Sequence, residues 1–176
     1  MDYPTYDPQA VQPMRDELTT VGFTELSTVE EVDQYLTKDE TVLLMLNSVC
    51  GCSAGSARPG VCAALQNSII PDNAITLFAG QEKTAIAHLR NKYLPEYSAS
   101  SPNLILFKNG KVVHFFQRHD IQQLSAENLS DSLAQLFNEH CEKKGPSIPA
   151  DQYDSLSFTI SCGSKVKRMD GAESSC

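Results

Sequence analysis

Residues 41–52 read TVLLMLNSVCGC, a nearly continuous apolar run that ends in two cysteines separated by one glycine. An apolar run of this length is typical of a strand that is buried on both faces in a parallel sheet. The small residues that follow, 53–64, predict the start of a helix. A thiol in the first turn of a helix lies near unpaired backbone N–H groups and the positive end of the helix dipole, which favour thiolate over thiol. We therefore predict that Cys50 and Cys52 form a redox-active pair.

The composition narrows the class of function. The chain has 176 residues, 41% of them hydrophobic, which is enough for one packed domain with appendages. A net charge of −8 and a pI near 4.9 argue against binding to nucleic acid or anionic membranes. No apolar run approaches the roughly 18 residues of a membrane span, and residues 1–12 do not resemble an export signal. We expect a cytoplasmic protein without nucleic-acid or membrane partners.

Cysteine is frequent in this chain. A cytoplasmic location makes catalytic, metal-binding or incidental thiols more plausible than a structural disulfide framework. The six cysteines are Cys50, Cys52, Cys62, Cys141, Cys162 and Cys176.

The order of predicted elements gives the fold class. The sequence predicts two N-terminal helices, at 11–21 and 29–36. It then predicts four strands, at 41–46, 74–78, 103–107 and 112–116, and three further helices, at 53–68, 82–93 and from 125 to about 144. Arg58-Pro59 is expected to interrupt the helix at 53–68. Asn109-Gly110 predicts a tight hairpin between the last two strands. We expect an α/β fold with a mixed four-stranded core sheet, flanking helices and extra N-terminal helices. Residues 1–145 form this domain, and 146–176 form a tail of uncertain order.

Several separated motifs carry a family resemblance. Residues 101–110, SPNLILFKNG, resemble the thioredoxin fold, in which a proline before the third core strand has a cis peptide bond and faces the active cysteines. More narrowly, the chain from about residue 11 to 141 resembles the bacilliredoxins. The matching motifs are NSVCGC at 47–52, ARP at 57–59, PDN at 71–73, FAGQ at 78–81, SP at 101–102, VVHF at 112–115, RH at 118–119 and NEHC at 138–141. Cys62 and the residues after Cys141 depart from the pattern.

The resemblance implies a thiol-disulfide oxidoreductase that removes bacillithiol from S-bacillithiolated cytosolic proteins. It implies that Cys50 is the nucleophile, that Cys52 is the second thiol, and that Gly51, Ser101 and a cis Pro102 face the substrate. No bound cofactor is implied, because bacillithiol or a similar low-molecular-weight thiol is a co-substrate. The implied partners are S-thiolated or disulfide-bonded cytosolic proteins, together with the small thiol and its reductase.

The residues themselves leave the reaction partly open. A disulfide between Cys50 and Cys52 closes a small ring with strained torsions, and Gly51 permits unusual backbone angles there. Such an easily reduced bond suits a small-thiol exchanger or a general disulfide isomerase that does not need bacillithiol. A thiol-ligated metal site is the alternative from another class, for which Cys62 or His119 would have to fold near the pair.

Three other side chains have a functional and a plain interpretation. Arg58 could lower a thiol pKa, although an arginine one turn into a helix more often faces solvent or caps. His119 could protonate a leaving thiolate, although its position after a strand favours solvent exposure. Cys162 could reach Cys50 as an internal resolving thiol on a flexible tail, although an inert tail thiol is favoured. Cys62 is expected to be buried and Cys141 partly exposed.

Overall fold

The computed structural model describes residues 2–158 and 166–172. Within them, a mixed five-stranded sheet has the order β1-β4-β2-β5-β6, and a separate antiparallel pair joins β3 and β7. The strands are β1 (Thr24–Glu25), β2 (Thr41–Asn47), β3 (Ile69–Ile70), β4 (Asn73–Phe78), β5 (Asn103–Lys108), β6 (Lys111–Phe116) and β7 (Lys143–Lys144).

The central strand is β2, and all seven of its residues are buried. It pairs parallel to β4, with Leu44 opposite Ile75, and antiparallel to β5, with Leu44 opposite Ile105. The prediction of a thioredoxin-like α/β fold is confirmed. The prediction of four strands in this sheet missed the fifth, β1, because its two residues, Thr24 and Glu25, are exposed and carry no hydrophobic pattern.

Helices cover both faces of the sheet. The helices are α1 (Pro8–Thr19), α2 (Val29–Leu36), α3 (Arg58–Ala64), α4 (Lys83–Tyr93), α5 (Arg118–Gln122), α6 (Ala126–His140) and α7 (Ala150–Asp154). One face of the sheet packs against α1, α3 and α6 around Leu18, Val61 and Phe137, and the other against α2 and α4 around Val32 and Leu89. No helix in the described part of the chain is long and apolar enough to span a membrane.

The hairpin between β5 and β6 turns where the sequence predicts it. Asn109 and Gly110 have φ angles of 52° and 74°, the left-handed conformation that a two-residue turn of this kind requires. A Cβ atom on Gly110 would lie 2.7 Å from the carbonyl oxygen of Leu36, so this glycine is also needed for close packing.

The segment after the cysteines is helical but irregular. Residues Ser53–Ala57 form a π-helical turn in which Arg58 N–H donates to the Ser53 carbonyl, and α3 continues from there. Pro59 has no N–H to donate to the carbonyl of Gly55, which accounts for the widened turn. The predicted interruption at Arg58-Pro59 is thus confirmed.

The C-terminal part of the chain returns to the domain. The last predicted helix ends at His140 rather than near 144, because Lys143 and Lys144 pair with β3 as strand β7. Cys141 is buried, so the prediction that it is partly exposed is wrong. Its backbone N–H donates to the Phe137 carbonyl at 2.8 Å, which continues the helical hydrogen bonding and holds Cys141 against the core. Tyr153 and Leu156 pack against the core, and Val166 lies in a buried cluster with Val49.

Candidate active site

The two cysteines lie where the central strand passes into helix. Cys50 follows the carboxyl end of β2, and its carbonyl oxygen accepts hydrogen bonds from the N–H groups of Ser53 at 3.0 Å and Ala54 at 3.2 Å. Both thiols are free and half-buried, and their Sγ atoms are 2.8 Å apart. The predicted position of the pair at a helix start is therefore confirmed.

The surroundings give the two thiols different acidities. Burial alone raises the pKa of Cys50, but hydrogen bonds from the Cys52 thiol and Cys52 N–H, together with the Arg118 guanidinium, bring that pKa below its ordinary value. Burial, the hydrogen bond to Cys50 and the negative charge on Cys50 raise the pKa of Cys52 to about 11. Cys50 is consequently the more acidic thiol of the pair, and Cys52 is the thiol that holds its proton more tightly.

Arg118 is the site residue that sequence reasoning missed. It is the first residue of α5, and its positive charge favours the thiolate form of Cys50 and of Cys52. In residues 2–158 and 166–172, no carboxylate lies within ion-pair distance of Arg118. Its only sequence signal is the dipeptide Arg118-His119, which carries no indication of what it faces.

Arg58 has a different place from the predicted one. The prediction that it faces solvent or caps is wrong, since its side chain is fully buried and Nε donates to Glu17 Oε2 at 2.5 Å. Nη1 donates to Asn47 Oδ1 at 3.2 Å, to the Ser48 carbonyl at 3.0 Å and to Ser53 Oγ at 3.1 Å. A buried guanidinium is stable only with such partners. Arg58 thus ties the end of β2 to the helix start on either side of the cysteines.

A cavity of about 260 Å³ opens beside the exposed edge of Cys50. Its walls include Tyr6, Gly80, Ser101 and Arg118. The Ser101–Pro102 peptide bond is cis, as expected. Of the three residues predicted to face substrate, Ser101 shares this cavity with Cys50.

Gly51 has an ordinary backbone conformation in the dithiol form. Its φ angle is not positive, and a Cβ atom would meet nothing within 4 Å. Residue 51 lies in the first helical turn of this dithiol form, where any residue fits. The prediction that Gly51 permits unusual backbone angles concerns the Cys50–Cys52 disulfide, so it stays a prediction.

His119 and Cys62 lie apart from the cavity. The His119 side chain is 67% exposed, and its Nε2 lies 3.2 Å from Asp120 Oδ1, outside the walls of the cavity. Cys62 is fully buried, as predicted; burial raises its pKa, and its thiol donates to the Glu17 carbonyl. Cys162 lies outside the described residues, and its role as a resolving thiol stays a prediction. Among the described residues, no group of three or more His, Cys, Asp or Glu side chains could hold a metal ion.

A mixed sheet of this topology with a dithiol at the first turn of a helix defines a thioredoxin-fold protein of the oxidoreductase class. Comparison with known proteins agrees: a family model described as "Disulphide isomerase" matches residues 6–141. Two solved structures are similar to this chain at low sequence identity. The thioredoxin-like domain of Arabidopsis NCP is 13% identical, with a TM-score of 0.45, over 78% of this chain and 86% of that one. A second structure, described as having a thioredoxin fold, is 17% identical, with a TM-score of 0.48, over 66% of this chain and 96% of that one.

Relatives define the family more closely. A bacilliredoxin of Shouchella clausii is 48% identical over 144 residues, which cover 81% of this chain and 99% of the relative. A bacilliredoxin of Halalkalibacterium halodurans is 49% identical over 143 residues, with the same coverage, and one of Staphylococcus aureus is 40% identical over 144 residues, 82% of this chain and 99% of the relative. The chain belongs to the bacilliredoxin family. The predicted resemblance is confirmed, and the relatives are matched over nearly their whole length while part of this chain extends beyond them.

Proposed function

We propose that the protein is a thiol-disulfide oxidoreductase that removes bacillithiol, or a similar low-molecular-weight thiol, from mixed disulfides on cytoplasmic proteins. The observation that carries the proposal is the difference between two sulfurs 2.8 Å apart: the pKa of Cys50 is lowered, and that of Cys52 is raised to about 11. A thiolate that is accessible from a cavity is the nucleophile that disulfide exchange needs. The names of the relatives support the small thiol as the co-substrate.

The first step is attack by the Cys50 thiolate on the small-thiol sulfur of the mixed disulfide. A bond forms between Cys50 and the small thiol as the old disulfide bond breaks, and the substrate cysteine leaves as a thiolate that takes a proton from solvent. The substrate protein is thereby repaired, and the small thiol is held on Cys50. No net oxidation or reduction occurs in this exchange.

Release of the small thiol has two routes. A second small-thiol thiolate can attack the small-thiol sulfur of the mixed disulfide on Cys50, which restores the Cys50 thiolate and yields a small-molecule disulfide that the reductase of the small thiol then reduces. Alternatively, the Cys52 thiolate attacks Cys50 and expels the small thiol, which leaves a Cys50–Cys52 disulfide to be reduced by an external dithiol or thiol pair.

The acidity of Cys52 supports an ordered use of the second route. After burial, the largest causes of its high pKa are its hydrogen bond to Cys50 and the negative charge of Cys50. Both disappear when Cys50 is capped, whereas the charge of Arg118 continues to lower the pKa. Cys52 is therefore kept protonated while Cys50 attacks and becomes more acidic when it is needed.

The direct test uses a protein that carries bacillithiol on one cysteine, incubated with the reduced full-length protein and followed by intact mass. Wild type and Cys52→Ser should remove the bacillithiol, with Cys52→Ser accumulating it on Cys50, and Cys50→Ser should leave the substrate unchanged. Cys62→Ala is the matched control, because Cys62 is buried away from the cavity. Full activity in Cys50→Ser, or an unchanged substrate with wild type, would refute the proposal.

A second candidate is general disulfide isomerase activity without bacillithiol, which the description of the matching family model favours. Recovery of activity from scrambled ribonuclease by wild type, but not by Cys50→Ser, would support it. An isomerase that is independent of bacillithiol would act equally well when no small thiol is added.

A further inference from the structure

A second cavity adjoins the one at Cys50. It measures about 500 Å³, and Ala79, Gly80, Ser101 and Arg118 line both cavities. From there it continues along α4 to Arg90. The two cavities together form one groove, called here the Arg90 groove, that leads away from the reactive sulfur.

The walls of the Arg90 groove carry positive charge in a chain whose net charge is −8. Arg118, Arg90 and Lys83 line it, and neither cavity has an Asp or Glu among its described wall residues. Lys83 is partly offset by Asp2, which it helps to keep ionised, so the two arginines supply most of the unbalanced charge.

Arg90 is the more unusual of the two arginines. Its Nη2 donates to the Ser100 carbonyl at 2.7 Å, and burial lowers its pKa. Among the described residues, no carboxylate pairs with Arg90 or Arg118. A half-buried cation without a counter-charge is unfavourable, whereas a guanidinium offers a planar fork of N–H donors that suits a carboxylate.

We propose that the Arg90 groove binds a carboxylate of the small thiol whose sulfur Cys50 attacks, so that the protein selects anionic thiol carriers over neutral or cationic ones. The inference rests on the proposed function, because it needs a small thiol to become bonded to Cys50. The ligand reaches the groove with its sulfur at Cys50 and its acidic end between Arg118 and Arg90. The substrate protein then occupies the open side, where it leaves as a thiolate.

The test measures charge preference with simple disulfides of similar length. The reduced full-length protein is mixed with 3,3′-dithiodipropionate (anionic), 2-hydroxyethyl disulfide (neutral) or cystamine (cationic), and the rate of Cys50 capping is followed by peptide-resolved mass. A free small thiol under the same conditions gives the intrinsic reactivity of each disulfide. Division by that value removes the contribution of the leaving group.

After this correction, wild type should prefer the anionic disulfide. Arg90→Gln should reduce the anionic-to-neutral ratio by about threefold to tenfold, as expected for a partly desolvated charge pair, and Arg90→Lys should retain part of it. Lys111→Gln, which removes one exposed positive charge from β6, should leave the ratio unchanged. High salt should weaken the preference.

Two outcomes would overturn the inference: corrected rates that do not depend on disulfide charge, or an Arg90→Gln variant that slows all three disulfides equally. Circular dichroism of each variant identifies loss of fold. If Arg90→Gln does not fold, the test is made with Arg90→Lys, which keeps the charge and must retain part of the anionic-to-neutral ratio. Failure of the proposed function gives a different result. In that case Cys50 reacts with none of the disulfides, or it reacts with the anionic disulfide but does not release bacillithiol from protein.

Discussion

The guanidinium of Arg58 and the carboxylate of Glu17 form a buried ion pair, with side chains 0% and 5% exposed. The two residues are 41 positions apart and join α1 to the start of α3. The same guanidinium binds the chain on both sides of the cysteines, through Ser48 and Ser53. Arg58 is therefore a positioning residue for the dithiol rather than a group that touches substrate.

Replacement of Arg58 by methionine should be strongly destabilising. It leaves the Glu17 carboxylate buried without its cation, which costs about 3–5 kcal/mol. Urea denaturation should show a lower midpoint with an unchanged slope. Lys92→Gln is the control, since it removes a cation from an exposed ion pair with Asp33 and should change the midpoint little.

The double variant Arg58→Met with Glu17→Leu gives the diagnostic result. It removes both charges, so it should recover much of the lost stability. An Arg58→Met protein no less stable than Lys92→Gln would contradict the assignment of this pair as a structural support.

Long-range contacts explain what sequence reasoning could not find. Residues 41–46 and Asn109-Gly110 carry local patterns strong enough to predict β2, the hairpin and the position of Cys50. The burial of Arg58 depends on Glu17, a charged residue on the buried face of α1, and no local pattern connects the two. The effect of Arg118 on Cys50 depends likewise on how β6 leads into α5.

Replacement of Gly51 by alanine and replacement of Gly110 by alanine should have opposite effects on the stability of the protein. Gly51 has no positive φ and open space around it, so Gly51→Ala should fold normally and gain up to about 1 kcal/mol from helix propensity. Gly110 has a φ of +74° and its Cβ would meet the Leu36 carbonyl, so Gly110→Ala should lose about 1–3 kcal/mol. Thermal unfolding of the two variants measures the difference. Equal loss in both would mean that the backbone at residue 51 is not as described.

Val166 should hold the C-terminal segment against the domain. It is buried with Val11, Met14, Val49 and Phe78. Beside it, Asp7 N–H donates to the Lys167 carbonyl at 2.9 Å and Met169 N–H to the Thr5 carbonyl at 2.8 Å. Val166→Ala removes about 1–2 kcal/mol of apolar contact, so amide hydrogen exchange should accelerate at Asp7 and Met169.

The matched control for this segment is Met169→Ala, because the Met169 side chain is 57% exposed. It should leave exchange at Asp7 unchanged. Equal acceleration in the two variants, or none in Val166→Ala, would show that Val166 does not anchor the segment. A specific effect of Val166 would also connect the segment to the site, since Tyr6, which bridges to Arg168, lines the cavity at Cys50.

The pH dependence of Cys50 alkylation should report the charge of Arg118. Only the thiolate reacts, so the rate rises with pH and reaches half its maximum at the pKa. Because the pKa of Cys50 is lowered, the wild-type midpoint should lie below that of an ordinary cysteine thiol in an unstructured peptide. Arg118→Gln removes a charge that stabilises the thiolate, so its midpoint should move to higher pH.

Peptide-resolved alkylation with iodoacetamide separates this effect from the other thiols. Cys52→Ala should also raise the Cys50 midpoint, because the hydrogen bond from the Cys52 thiol is lost. Lys111→Gln serves again as the control for net charge and should leave the midpoint in place. A midpoint that does not move in Arg118→Gln would exclude Arg118 as the cation that activates Cys50. If the midpoint moves in Arg118→Gln but not in Cys52→Ala, the charge of Arg118 lowers the pKa of Cys50 and the hydrogen bond from the Cys52 thiol does not.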